Sequence, residues 1–81
     1  MQNLELFAYR VKKLRRQQKL SQQELGDALG LTQKTISAIE GGNRTTTIEK
    51  LILLAKFFDV STDYLLGITD DPAWRGPEEE N

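Results

Sequence analysis

The sequence predicts an all-α domain of five short helices, and three observations carry that prediction. Apolar residues recur at spacings of three and four through most of the first 67 positions, as one buried helix face requires. Most of these stretches open on Ser or Thr and close on Gly, the residues that cap helix starts and ends. A length of 81 residues leaves room for one small core and no second folded unit.

The first helix is expected from about Leu4 to Lys19, burying Phe7, Val11 and Leu14. Its other faces are cationic. Arg10, Lys12, Lys13, Arg15, Arg16 and Lys19 fall within ten positions, and no acid lies between Leu6 and Gln23.

Ser21 with Glu24 three residues on forms a capping box, so a second helix starts at Gln22. Leu25, Ala28 and Leu29 recur along it, and Gly30 can end it in the left-handed region without a Cβ penalty. Leu31 fills the turn and Thr32 caps a third helix, whose stripe is Ile36 and Ile39 and whose end is Gly41 and Gly42. Two capped helices across a short glycine-bearing turn make a helix-turn-helix.

At about 100° per residue, Lys34 and Ala38 point nearly opposite that stripe, with Gln33 and Ser37 beside them. An amide, a cation, a hydroxyl and a methyl are the groups that read base edges in a DNA major groove. A solvated surface helix has a similar composition; the turn and both caps single this one out. Gln33 leads for base readout, since an amide pairs bidentately with adenine, and Lys34 suits guanine or phosphate. Ser37 bonds several bases, Ala38 packs on a thymine methyl or simply allows close approach, and Thr32 caps first and contacts DNA second. Gln22 opens the second helix, where free amides and the macrodipole hold phosphate.

The loop GGNRTTT, Gly41 to Thr47, is polar, and Asn43, Arg44 and Thr45 can donate to phosphate oxygens from it. Thr47 caps a fourth helix ending near Asp59, with Ile48, Leu51, Leu54, Ala55 and Phe58 as its core face. Ser61 caps a short fifth helix, TDYLL, which Gly67 ends and whose Tyr64 and Leu65 close the core. Ile52, Leu53 and Phe57 exceed what one face needs. Leu53, Phe57, Leu66 and Ile68 are therefore candidates for a dimer surface, with a missing C-terminal domain or a protein partner as the alternative cover.

The run SQQELGDALGLTQKTISAIEGG, with VKKLRRQQK before it and TIEKLILLAKFFDVSTDYLLG after it, resembles the XRE family of Cro and phage-repressor helix-turn-helix domains. The match spans about residues 6 to 67. It implies a compact, lambda-repressor-like five-helix fold with the helix-turn-helix at helices two and three. It further implies that Arg10 approaches phosphate, that Arg15 pairs with Glu40 as a structural brace, and that Gln22 binds phosphate and touches Gln33. The loop departs from the family pattern, which usually has asparagine before the second glycine and often proline before the next helix.

Charge and composition complete the expectation. The net charge is −1, but residues 1–67 hold ten Lys or Arg against seven Asp or Glu, a balance of +3. Residues 68–81 hold one Arg against five acids, a balance of −4. The sequence thus divides into a DNA-binding domain, 1–67, and an acidic linker-like tail, 68–81, carrying Trp74, which either stays solvated or docks back. With no Cys and no His, thiolate or imidazole metal sites and the usual nucleophile-base pairs are absent, so no enzyme, metal or cofactor is expected. No signal peptide or membrane span is read, which suits a bacterial or phage-infected cytoplasm.

The expected function is a sequence-specific transcriptional regulator, a repressor of phage or bacterial type that binds a near-palindromic double-stranded DNA operator as a homodimer. The alternative is a DNA-binding antitoxin or protein-interaction module on the same fold.

Overall fold

The computed structural model of the chain describes residues 4–42 and 46–73. They form five helices in the order α1 (Leu4–Gln17), α2 (Gln22–Leu29), α3 (Gln33–Gly41), α4 (Ile48–Phe58) and α5 (Thr62–Leu66), with no strand among the described residues. None of these helices is long and apolar enough to cross a membrane.

The caps are built as the sequence dictates. Ser21 Oγ accepts from the Glu24 amide at 3.0 Å while the Ser21 amide donates to Glu24 Oε1 at 2.8 Å. Thr32, Thr47 and Ser61 accept from the amides of Thr35, Lys50 and Tyr64 at 3.0–3.1 Å. Each cap satisfies an amide that the helix itself leaves unpaired, at about 1 kcal/mol relative to alanine.

Four helices also end alike. After α1, α2, α4 and α5 a residue turns left-handed, and the next amide reaches back five residues: Leu20 to Arg15, Leu31 to Gly26, Val60 to Ala55, Ile68 to Asp63. This is the Schellman closure. Lys19 and Asp59 take the left-handed position at φ 60° and 58°, so α1 stops at Gln17, two residues before its expected end. Three of the four apolar residues following the turn, Leu20, Leu31 and Val60, tuck against the core.

That core joins Phe7 and Val11 of α1, Leu25 of α2, Ile36 and Ile39 of α3, and Leu54, Ala55 and Phe58 of α4 to Val60 and Leu65. Val11, Leu25, Ile36, Leu54 and Leu65 are sealed completely. Each such side chain contributes about 1.5–3 kcal/mol.

Three expectations change. Ile48, placed in the core by its spacing, is 74% exposed, and the inward face of α4 begins only at Leu51, which packs partly on the core. Ala28 of α2 is exposed as well. The segment 68–73, read as tail, is tied to the domain: Ser61 N donates to Pro72 O at 3.0 Å, and Arg10 donates to Thr69 O at 2.8 Å and Asp70 Oδ1 at 2.7 Å. Trp74 and the rest of the tail lie outside the described residues.

Candidate nucleic-acid interface

The helix-turn-helix owes its tight corner to Gly26, a residue that no terminus demands. A Cβ there would lie 2.7 Å from Leu31 O, the carbonyl of the turn itself. Helix α2 and the start of α3 approach each other more closely than any side chain would allow. Sequence reasoning missed this role, although a glycine inside a helical pattern, at about 1 kcal/mol relative to alanine, is a signal that one is there.

On the face of α3 away from Ile36 and Ile39, Gln33, Lys34 and Ser37 are exposed and Ala38 is half-buried. Thr32 is exposed too, but its hydroxyl caps α3 and lies 2.9 Å from that of Thr35. No acid lies on this face. The single carboxylate of α3, Glu40, is turned inward, its side chain 3% exposed.

Glu40 is held by α1. Arg15 Nε donates to Glu40 Oε2 at 2.6 Å and Arg15 NH2 to Oε1 at 2.9 Å, a bidentate pair, while NH1 donates to Leu20 O at 2.7 Å. The Glu40 hydrogen bonds, aided by its charge and opposed by desolvation, hold the guanidinium above its ordinary range. A raised basic group stabilises fully below its unfolded value and stops doing so only as pH rises through the folded one. For an arginine both lie far above neutrality, so Arg15 stays charged throughout the working range.

From Glu40 the polar chain continues outward. Gln22 Nε2 donates to Glu40 Oε1 at 3.1 Å, and Gln33 Nε2 donates to Gln22 Oε1 at 2.7 Å. One side of the chain is the buried brace; the other is the first residue of the exposed helix. Gln22 also opens α2, whose helical bonding begins only with Leu25 N to Ser21 O, at 3.0 Å. The amides of Gln22 and Gln23 precede it and remain available to an anion.

Arg10 is not where the resemblance put it. The residue is 7% exposed, and its guanidinium donates to the carbonyls of Tyr64 and Thr69 and to Asp70 while lying 4.1 Å from the Tyr64 ring centre. Three of its five N–H donors are engaged inside the protein, so that in this structure Arg10 holds α1 to α5 and faces away from solvent. The cationic surface of α1 thus shrinks to Lys12, Lys13, Arg16 and Lys19, all exposed. Lys12, Lys13 and Arg16 line an open recess of about 500 Å³ with Tyr9 and Gln17. Asn43, Arg44 and Thr45 lie outside the described residues.

The dimer candidates differ in exposure. Leu53 and Leu66 are two-fifths exposed and Ile68 is 71% exposed, whereas Phe57 packs partly on the core, edge-on to Phe58.

Comparison with known proteins reaches the same region of the chain. The family described as Helix-turn-helix matches residues 11–65. Among curated proteins, the chain is 34% identical over 67 residues to the uncharacterized HTH-type transcriptional regulator YobD of Bacillus subtilis, covering 83% of this chain and 60% of that one. It is 43% identical over 61 residues to the uncharacterized HTH-type transcriptional regulator YqaE, covering 75% and 53%, and 38% identical over 58 residues to the HTH-type transcriptional regulator AnsR, covering 72% and 50%. Both are also from Bacillus subtilis. The chain thus spans about half to three-fifths of the length of these relatives. No solved structure gives a significant match.

Proposed function

Because the chain belongs to the XRE-type helix-turn-helix family of DNA-binding transcriptional regulators, we propose that it is a repressor that binds a near-palindromic operator as a homodimer, with α3 in the major groove. The observation that carries this reading is the acid-free outer face of α3, exposed at Gln33, Lys34 and Ser37 and stiffened from behind by the Arg15–Glu40 brace. Ala38, half-buried between them, lets the helix approach the bases, and Thr32 marks the end nearest the turn. Gln22 at the start of α2 fixes a backbone phosphate. Asn43, Arg44 and Thr45, which follow α3 in the sequence, do the same.

One such domain reads few base pairs. Two copies joined through Leu53, Leu66 and Ile68, with Phe57 behind them, would place two α3 helices on half-sites about one helical turn apart. Repression follows by occlusion of a promoter that overlaps the operator, in the bacterial or phage-infected cytoplasm.

The test is selection of bound duplexes from a random pool at near-physiological salt. The expected outcome is an enriched palindrome with half-site centres about 10 base pairs apart. Enrichment of no sequence, with only weak salt-sensitive binding, would reject the operator reading and favour the protein-interaction alternative.

A further inference from the structure

The hydrogen-bond chain from Arg15 to Gln33 has a direction, and the direction is imposed at its buried end. A carboxylate paired with arginine only accepts hydrogen bonds. Glu40 Oε1 already receives Arg15 NH2 at 2.9 Å, so the Gln22 group at 3.1 Å from the same oxygen has to be the amide nitrogen. The carbonyl of Gln22 then faces Gln33, and accepts from Gln33 Nε2 at 2.7 Å. What remains free on Gln33 is its carbonyl oxygen and the second amide hydrogen, an acceptor and a donor in a fixed order.

We propose that Glu40 is a positioning residue for base readout: through Gln22 it fixes which way the Gln33 amide faces, and so selects adenine over guanine at one position of each half-site. This rests on the DNA-binding reading above. A free glutamine amide turns over at little cost and presents its donor and acceptor in either order. The tethered one offers its carbonyl to a donor and its remaining hydrogen to an acceptor. Adenine supplies that pair with N6–H and N7, while guanine supplies two acceptors, N7 and O6, one of which would face the Gln33 carbonyl. The discrimination is thus set two residues behind the contact, by a side chain that never touches DNA.

The experiment uses the full chain and the double variant R15M/E40M, which replaces the buried ion pair with apolar side chains of similar length and keeps both glutamines. Such replacements are commonly neutral for folding. In the DNA-free wild type, NMR of the side-chain amides should show the Gln22 and Gln33 Nε2 protons shifted and protected from solvent exchange. In the double variant both should move to the values of exposed glutamines. In duplex selection, adenine should exceed guanine at the Gln33 position by about tenfold or more for the wild type, and by less than about threefold for the variant, with the other positions and the salt slope unchanged.

An unchanged adenine preference in the variant would overturn the proposal, as would a uniform loss of affinity without any change in preference. Freely exchanging Gln22 and Gln33 amides in the wild type would overturn it without any variant at all. A wild type that enriches no sequence would instead remove the operator reading, while the amide protons would still report whether Glu40 orients the two glutamines.

Discussion

Arg10 and Arg15 lie five positions apart on α1, are 7% and 8% exposed, and each reaches a carboxylate, yet they tie α1 to different elements by different physics. Arg15 meets Glu40, whose side chain is 3% exposed, and the pair holds α1 to the helix-turn-helix. Arg10 meets Asp70, whose side chain is 98% exposed, and its firmer partners are the carbonyls of Tyr64 and Thr69 and the Tyr64 ring. The first clamp is an ion pair that neither member can leave without stranding the other. The second is a cation satisfied mostly by backbone, with an acid at its wet edge.

The difference is sharpest when the acids are removed. Glu40→Ala leaves Arg15 buried with Leu20 O as its remaining acceptor, an uncompensated charge that is expected to cost about 3–5 kcal/mol. For a domain of this size that lowers the thermal midpoint by roughly 12 °C or more. A loss under about 1 kcal/mol would mean that the two clamps are equivalent after all. The same variant should detach Gln22 from its anchor, so the damage is concentrated in the part of the molecule assigned to DNA.

Within that same part, Gly26→Ala tests whether packing or helix propensity governs α2. Propensity alone favours alanine in a helix interior by about 1 kcal/mol. The added Cβ, 2.7 Å from a backbone carbonyl, forces the turn apart, and the net expectation is a loss of about 1–3 kcal/mol, read from chemical denaturation. The sign decides the matter. A gain in stability would show that α2 and the turn can separate without consequence.

What the sequence revealed of each clamp follows from what each is made of. Opposite charges at Arg15 and Glu40, one on the first helix and one ending the third, are a pair that residue identities can announce, and the resemblance placed them together. Arg10 has backbone carbonyls for partners, and no side chain advertises a carbonyl. It therefore read as one more surface cation in a basic cluster. Caps were legible for the same reason that Arg10 was not: Ser21, Thr32, Thr47 and Ser61 act on amides three residues away, within the window that a local pattern covers. Ile48 shows the converse limit. Periodicity gives the direction of a side chain and not whether a neighbouring helix reaches that far. The links from Glu40 to Gln22 and from Gln22 to Gln33 span 18 and 11 positions, and only the second was suggested, by resemblance.

The smallest effects are expected at the other clamp, and they separate its parts. Arg10→Met keeps most of the aliphatic bulk against Tyr64 but withdraws the guanidinium from two carbonyls, at about 1–2 kcal/mol, since water replaces the donor in part. The bond from Ser61 N to Pro72 O should then lose part of its protection from hydrogen exchange, because Arg10 ties the segment 68–73 to α1 through Thr69 and Asp70. Asp70→Asn should do neither. Its oxygen still accepts from Arg10, its charge is already screened by solvent, and an exposed pair adds little beyond a neutral hydrogen bond. The thermal midpoint should stay within the scatter of replicate melts, at low salt and high, and Ser61 should stay protected. If Asp70→Asn instead released Ser61 as completely as Arg10→Met, the acid at the wet edge would be the clamp, and the two arginines would be working in the same way.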